Sequence, residues 1–364
     1  MNDLVSRVVQ LAVRIQQIPA PTFQEGNRAE FVRSLFLEEK LQEVCVDEAG
    51  NVLGRLRGTG TEQPLIITAH MDTVFPAETD LTLRHGSGMI HGPGIGDNSL
   101  GVASLFGLIW SLRERGIPLP GDVWFVANVC EEGLGDLHGM RAIVERFGAA
   151  VHAYLVLEGL ALGHVYHRAV GVRRYRVMAR TGGGHSWSDY GQPSAVHELA
   201  KLVVALTSLT LPKYPRTTMN VGKISGGTSV NVIAAEAFFD LDLRSEGRES
   251  LTELIAAAER LIHHANRPGV SVEAQVIGQR PAGEMPANHP LVLLARDCLR
   301  EQGLDASLIS GSTDANAPLS KGYPALVLGV TTGGGAHTLH EYINTTPVAQ
   351  GMEQLVRFVS RVWK

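Results

Sequence analysis

Apolar residues recur with two different periods along the chain, and the change of period separates helices from strands. Leu4, Val8, Leu11 and Ile15 share one face of a predicted first helix that ends before Pro19. A further helix is predicted over residues 99–115. Short apolar runs, typical of buried parallel strands, occupy residues 65–67, 123–126 and 154–157. Strands alternating with helices predict an α/β fold with a doubly wound, mostly parallel sheet.

The middle of the chain follows a different order of elements. The pattern predicts strand, helix, two strands, helix and strand at residues 172–179, 195–209, 217–224, 232–243, 251–264 and 270–277. This β-α-β-β-α-β order is the split-βαβ, or ferredoxin-like, layout. After Pro281 the α/β pattern returns. We therefore predict one domain formed by residues 1–168 plus 281–364, interrupted by an inserted domain at residues 169–280.

Composition narrows the class of protein. Of 364 residues, 44% are hydrophobic and 19% are charged, which favours a well-buried globular chain over disorder. Lys plus Arg number 32 against 37 Asp plus Glu, so the net charge of −5 argues against a nucleic-acid partner. The first residues lack the apolar run of a signal peptide, and no stretch is long enough for a membrane span.

The three cysteines are widely scattered and form no Cys-x-x-Cys spacing. They predict neither a disulfide framework nor a thiolate zinc site, and they favour a reducing compartment; the positions are Cys45, Cys130 and Cys298. Together with the absence of a membrane segment, this pattern predicts a cytoplasmic protein without a membrane partner.

Each of the three predicted parallel strands is followed by residues that bind metals. His70 ends the first strand, Glu131 and Glu132 follow the second, and Glu158 ends the third. Ligands of open α/β sheets bind outside the carboxyl ends of the strands, so these side chains should converge. Taken singly, each has an ordinary structural explanation, because acidic residues are mostly exposed. Three successive strands ending in this way favour a site for zinc or a similar divalent ion.

A glycine-rich loop at residues 92–98 lies between the first two of these strands. A phosphate cradle is one interpretation, but the spacing is not G-x-G-x-x-G and no Gly-Lys-Ser/Thr follows. The carboxylate of Asp97 suits a metal better than a phosphate, and its two oxygens can bridge two ions.

Several motifs, taken in order, resemble a known enzyme family. HMDTV, GPGIGDNSLG, the EEG triplet, Glu158-Gly159 and GGGAHTLHEYI look like the co-catalytic zinc metallopeptidases. That family includes glutamate carboxypeptidase, aminoacylase, acetylornithine deacetylase, succinyl-diaminopimelate desuccinylase and peptidase T. The resemblance runs from about Ile18 to Tyr342. It implies a zinc-binding α/β domain and an inserted lid domain that makes a homodimer.

The resemblance also implies a set of metal ligands. His70, Asp97 and Glu158 would hold one divalent ion, and Asp97, Glu132 and His337 would hold a second. Zinc is the expected metal, with cobalt and manganese left open. The family's histidine ligand usually precedes a glutamate by four positions, which selects the first histidine of HTLHE over the second.

Two further acidic residues receive catalytic roles from the resemblance. Glu131 would be the general base, which takes a proton from a water held between the ions and delivers it to the leaving amine. Asp72 would accept the free N–H of the His70 imidazole and so fix its tautomer.

Residues outside the ligand set are implied to contact the substrate. His185 would hydrogen-bond the tetrahedral oxyanion, although a loop histidine after three glycines is an equal alternative. Asn231 and Arg244 resemble substrate-contacting groups, and for Arg244 an ion pair with Asp242 is the alternative. Near the substrate's carboxylate, hydrogen bonds would come from Ser312 or Thr313.

The chain departs from the family pattern after Asp97, where Asn98-Ser99-Leu100-Gly101 stands in place of an acidic residue or a Lys-x-Gly sequence. Ser186-Trp187 likewise replaces the frequent Ala-Gly. In the family, the peptide bond that follows the bridging aspartate is often cis. No proposed ligand is lost through these departures.

The sequence therefore predicts a metal-dependent hydrolase that cleaves an amide or peptide bond next to a free carboxylate. Its substrate would be a small peptide, as for a carboxypeptidase or di/tripeptidase, or an N-acyl amino acid, as for a deacylase of the same family. From another class, a metal-binding pseudoenzyme or regulator is possible, but a structural metal site needs no base such as Glu131. A metal-free small-molecule binder is the last alternative.

Overall fold

The computed structural model describes the backbone of residues 2–364 and the side chains of residues 3–364. The chain divides into two compact units, Met1–Ala169 with Gly283–Lys364, and Val170–Ala282. No helix within residues 2–364 is long and apolar enough to cross a membrane.

The elements of the first chain segment belong to the first unit. Its helices are α1 (Asn2–Gln16), α2 (Gly26–Glu38), α3 (Gly101–Glu114) and α4 (His138–Phe147). Its strands are β1 (Gln42–Val46), β2 (Val52–Leu56), β3 (Glu62–His70), β4 (Arg84–Gly86), β5 (Met89–His91), β6 (Gly121–Asn128), β7 (Ala153–Glu158) and β8 (His164–Ala169).

The middle segment forms the second unit. Its strands are β9 (Gly171–Thr181), β10 (Gly184–His185), β11 (Thr217–Gly226), β12 (Val232–Ile233), β13 (Glu236–Ser245) and β14 (Val270–Arg280). Its helices are α5 (Ala195–Thr207) and α6 (Arg248–His264).

The last segment returns to the first unit. Its strands are β15 (Gly283–Glu284), β16 (Ser307–Gly311), β17 (Ala325–Gly329), β18 (Gly333–Gly334) and β19 (Tyr342–Asn344). Its helices are α7 (Pro290–Arg300), α8 (Asn316–Ser320) and α9 (Val348–Arg361).

The main sheet of the first unit has a parallel centre and antiparallel margins. Its strand order is β1-β2-β6-β3-β7-β17-β8-β15, and β16 pairs with β8. Strands β6, β3, β7 and β17 run parallel, whereas β2 and β8 pair with this centre in antiparallel fashion. Ile66 and Ile67 of β3 point to opposite faces and both are fully buried, so both faces are covered. The predicted α/β class is confirmed, with a mixed sheet.

A close approach of three helices helps to cover this sheet. Gly107 lies in α3, where a Cβ atom would come within 2.7 Å of both Val8 of α1 and Met352 of α9. A side chain at this position would therefore require the Val8 and Met352 side chains to move. Glycine lowers helix propensity by about 1 kcal/mol relative to alanine, and here it permits the tight packing.

The second unit contains a four-stranded antiparallel sheet in the order β11-β13-β9-β14. Its core includes Val177 of β9 and Phe239 of β13, together with Leu199 of α5 and Leu254 of α6. The order of the long elements is strand, helix, two strands, helix and strand, the layout that the pattern predicts for this segment. The lid and dimerisation roles of this unit stay predictions.

Along the sequence, the two boundaries between the units lie slightly later than the predicted boundaries at 168/169 and 280/281. Strand pairing accounts for the difference, because Ala169 still belongs to β8 and pairs with Gly283 of β15. Both residues therefore belong to the first unit.

Several elements have no counterpart in the sequence prediction. They include α4, α8, β8, β10, β15, β16 and a small sheet with the order β18-β19-β5-β4. The short strands of the small sheet have two or three residues each, too few to give a recognisable alternation of apolar and polar positions.

An ion-paired glutamate in the second unit should make stability depend on pH. Glu198 is 6% exposed and binds Arg267 at 2.7 Å and Lys201 at 3.0 Å. The hydrogen bond from Arg267 is the main cause that lowers the pKa of Glu198 to about 2. A carboxyl with a lowered pKa stabilises the fold above its ordinary pKa, and this contribution is lost as the pH falls towards the folded value.

We expect Glu198→Gln to lower the free energy of unfolding by about 1–2 kcal/mol at pH 7. The deficit relative to the original protein should shrink below pH 4.5 and vanish near pH 2. Urea denaturation across this range measures it, with the exposed Glu253→Gln of α6 as the control. A deficit of equal size at pH 7 and pH 2.5 would contradict the ion-pair explanation.

Candidate metal centre

The carboxyl ends of three adjacent parallel strands carry the central residues of the site. His70 is the last residue of β3, Glu158 is the last of β7, and Glu131 and Glu132 follow the end of β6. Strand β3 pairs with both β6 and β7 in parallel, so all these residues lie at one edge of the sheet. Glu131 and Glu132 are each 5% exposed.

One group of possible ligands forms around His70. Its Nε2 atom lies 3.2 Å from Asp97 Oδ1 and 3.7 Å from Glu158 Oε2. Burial lowers the pKa of His70, but hydrogen bonds with Asp72, Asp97 and Glu158 outweigh it and raise the pKa well above its ordinary value. Burial raises the pKa of Glu158. Three ionisable groups thus share one small volume.

A second group forms around His337, which comes from the loop between β18 and β19. Its Nε2 atom lies 3.0 Å from Asp97 Oδ2 and 3.0 Å from Glu132 Oε1. Hydrogen bonds with these two carboxylates raise the pKa of His337 to about 10. Burial alone would raise the pKa of Asp97, but hydrogen bonds from both histidines lower it. Asp97 therefore belongs to both groups, with one oxygen towards each histidine.

The donor atoms suit divalent cations. In each group the candidate ligand atoms lie within 4.8 Å of one another, and a third group combines His70, Glu131 and Glu132. Imidazole nitrogens and carboxylate oxygens are the usual ligands of zinc and of related divalent ions. The carboxylates outnumber the imidazoles, so bound cations would offset the remaining negative charge. No group of three or more possible ligands among residues 3–364 includes His340.

Asp72 supports the two glutamates that follow β6. Its carboxylate accepts the backbone N–H of Glu131 and that of Glu132, each at 2.9 Å, and the hydroxyl of Thr22 at 2.9 Å. The Nδ1 atom of His70 lies 3.1 Å from the main-chain oxygen of Asp72 and 3.5 Å from its Oδ1. Asp72 therefore contacts the candidate ligand His70 and also holds the main chain that carries Glu131.

Asn98 connects the Asp97 loop to strand β7. The loop is an irregular π-type turn over Ile95–Leu100, and the Asp97–Asn98 peptide bond is cis. The Asn98 side chain donates to the Leu157 carbonyl at 2.9 Å and accepts the Gly159 N–H at 2.8 Å. These bonds bracket Glu158 in the sequence. Asn98, the residue that differs from the family pattern, therefore fixes the position of the Asp97 loop relative to Glu158.

Comparison with known proteins identifies the family of this chain. Residues 66–361 match the model of Peptidase family M20/M25/M40. The chain belongs to this family. The family resemblance predicted from the motifs is thereby confirmed, and the chain is an M20 metal-dependent peptidase or amidohydrolase.

M20 relatives cover almost the whole chain. The uncharacterized protein YqjE of Bacillus subtilis is 22% identical over 98% of this chain and 96% of its own length. Aminopeptidase PepT from Bacillus cereus superposes with a TM-score of 0.81 at 24% identity, covering 99% of both chains. A tripeptidase from Staphylococcus aureus gives a TM-score of 0.84 at 22% identity, covering 98% of both chains. These similarities show that the M20 fold extends over both units.

The remaining predicted site residues of this M20 chain lie on other segments. His185 is exposed in β10, and the N–H of Ser186 next to it donates to the Asn231 carbonyl at 3.0 Å. Arg244 Nε donates to Asp242 Oδ2 at 2.6 Å, the ion pair considered as its alternative role. The half-buried pair after β16 is Ser312 and Thr313. The substrate contacts of these residues stay predictions.

Sequence reasoning missed two supporting residues at the start of α2, Glu25 at its N-cap and Arg28 in its first turn. Arg28 is 2% exposed and donates to the carbonyls of Met71 and Ile18, each at 2.6 Å. Burial lowers the pKa of Arg28 to about 10. Glu25 accepts the Cys130 N–H at 3.0 Å, and burial raises the pKa of this carboxyl. The only signal in the sequence is a few polar residues at the start of a helix.

The loop that is predicted to contact the substrate also contains a buried acid. Asp314 is fully buried, and its Oδ2 accepts a hydrogen bond from Asn128 Nδ2 at 2.7 Å. Burial raises the pKa of Asp314 to about 7. This contact joins the end of β6 to the loop after β16, next to Ser312 and Thr313.

Proposed function

We propose that this chain hydrolyses an amide or peptide bond next to a free carboxylate in a small substrate. The observation that carries the proposal is the pair of three-residue groups that share Asp97, with Glu131 buried beside them. A single structural ion needs neither a carboxylate shared between two groups of candidate ligands nor a further buried acid beside them. Both features fit hydrolysis.

The donor set suits two divalent cations, which we propose to be zinc. One would be held by His70, Asp97 and Glu158, and the other by Asp97, Glu132 and His337. When bound, such ions acidify a water molecule and polarise the carbonyl of the scissile bond.

Glu131 acts as the general base in this proposal. Its carboxylate takes a proton from the attacking water, whose oxygen forms a bond to the carbonyl carbon while the π electrons of the C=O bond move onto the carbonyl oxygen, from which they return in the next step. The C–N bond then breaks, and Glu131 delivers that proton to the departing amine. The N–H of Glu131 donates to Asp72 at 2.9 Å, so its main chain is held still while the carboxylate carries the proton.

Small peptides are the proposed substrates. Two similar structures are called an aminopeptidase and a tripeptidase, which supports short peptides, including tripeptides, as substrates. Recognition of a free carboxylate would come from hydrogen-bond donors such as Ser312 or Thr313. N-acyl amino acids present the same carboxylate and amide, so they belong in the same test.

A substrate panel with and without a chelator tests the proposal. We expect turnover of dipeptides, tripeptides or N-acyl amino acids, and about 10²-fold slower turnover when the substrate carboxylate is replaced by an amide. A chelator should abolish turnover, and added zinc should restore it. Turnover that persists without divalent ions would contradict the proposal. Metal and ligand binding without hydrolysis of any substrate would instead indicate a regulator.

A further inference from the structure

Glu341 is a buried carboxylate that neither the ligand groups nor the proposed proton transfer uses. It lies four residues after His337 and is 0% exposed. Its Oε2 accepts the N–H of Gly94 at 2.9 Å, and its Oε1 accepts the N–H of Gly96 at 2.7 Å and of Asp97 at 2.8 Å. Three backbone donors from one loop thus converge on a single side chain.

These contacts show what the backbone N–H groups of the glycine-rich loop bind. Convergent backbone N–H groups form a typical anion-binding arrangement, and in this loop the anion is a carboxylate of the same chain. Gly94 has a φ of +73°, in the left-handed region that favours glycine. The main-chain oxygen of Glu341 accepts a further bond from the Gly92 N–H at 2.9 Å. Both the side chain and the main chain of Glu341 therefore bind the loop.

The position of Glu341 links two candidate ligands that are far apart in sequence. The loop that it binds ends at Asp97, 244 residues earlier in the chain, and its own segment carries His337. The His337 Nε2 atom lies only 3.0 Å from Asp97 Oδ2. The three bonds to the Glu341 carboxylate join these two segments, and one of them is made by the backbone N–H of Asp97 itself.

We propose that Glu341 is a positioning residue that sets the spacing between Asp97 and His337. The inference rests on the proposed function, since that spacing matters only if both residues hold a cation. Loss of the carboxylate should weaken the ion held by Asp97, Glu132 and His337 more than the ion held by His70, Asp97 and Glu158. Partners that orient metal ligands change metal affinity by about 10–100-fold when they are removed.

Two substitutions of Glu341 separate positioning from simple loss of volume. Glu341→Gln keeps the shape but points an NH₂ group at a backbone N–H, so at least one of the three hydrogen bonds is replaced by a repulsive contact. Glu341→Ala leaves three N–H donors around a space that formate can enter. Asp122→Asn is the matched control, because Asp122 accepts the Gly58 N–H at 2.8 Å near the opposite, amino end of β6.

Metal binding by the whole chain is the readout. Zinc titration by calorimetry and the visible spectrum of the cobalt-loaded protein should show two ions in the original protein and in Asp122→Asn. Both Glu341 variants should bind the ion held by Asp97, Glu132 and His337 about 10–100-fold less tightly and lose part of the cobalt spectrum. Excess formate should restore both properties to Glu341→Ala, but not to Glu341→Gln, where the amide still fills the space.

The outcomes separate the two hypotheses. If the original protein binds no divalent ion, the proposed function and the inference both fail. If it binds two ions and both Glu341 variants match its affinities and cobalt spectrum, the inference alone is overturned. Thermal melting and circular dichroism are recorded in parallel. If both variants unfold even when formate is present, the carboxylate maintains the fold instead of the ligand spacing, which also overturns the inference.

Discussion

Replacing Glu131 by glutamine should lower kcat for amide hydrolysis by about 10²–10⁴-fold, because an amide cannot accept the proton of the attacking water. The substitution keeps the size of a side chain that is 5% exposed, and the backbone bond from its N–H to Asp72 does not involve the changed group. We therefore expect the variant to fold normally and to retain its divalent cations. Initial rates on a hydrolysed peptide and the metal content of the purified protein measure the two effects.

The same variant distinguishes two roles for Glu131. Glu131 also belongs to a possible ligand group with His70 and Glu132. If it is a ligand, Glu131→Gln should lose metal along with activity; if it is the base, only activity falls. The control is Glu145→Gln, an exposed glutamate in α4, which should behave like the original protein. Full activity of Glu131→Gln would rule out the proposed mechanism.

Substitutions of Asp97 and His337 should change the number of bound ions in different ways. Asp97 belongs to both groups of candidate ligands, whereas His337 belongs to one. We expect Asp97→Asn to lose both ions, because it removes charge from each group. His337→Ala should keep the ion held by His70, Asp97 and Glu158. Elemental analysis after gel filtration gives the metal-to-protein ratio.

Activity should fall by about 10³-fold in Asp97→Asn and in His337→Ala, because bound cations contribute several kcal/mol to stabilising the transition state. His340→Ala is the matched control, because His340 lies three residues after His337 and is exposed. It should keep both ions. Equal metal loss in His337→Ala and His340→Ala would contradict the assignment of the ligand histidine, and two ions retained in Asp97→Asn would contradict a shared aspartate.

The order of elements and part of the site follow from local sequence patterns. The apolar runs of β3, β6 and β7 lie in the centre of the sheet, and parallel pairing brings their carboxyl ends together. That rule suffices to place His70, Glu132 and Glu158 at one edge, because His70 and Glu158 end their strands and Glu132 comes four residues after the end of β6. The β-α-β-β-α-β order of the middle segment is likewise predicted by the changes in the spacing of apolar residues.

The rest of the site depends on contacts between distant segments, which no local pattern encodes. His337 meets Asp97 because two loops pack together, and Glu341 binds that loop across 244 residues of sequence. Arg28 looks in the sequence like an ordinary surface charge, yet it is buried against the Met71 carbonyl. The sequence alone determined the main elements and the candidate ligands at the strand ends, since both depend on nearest neighbours and on sheet topology. Only the tertiary structure decided which polar groups hold those ligands in place, because burial and hydrogen-bond partners are properties of the packed chain.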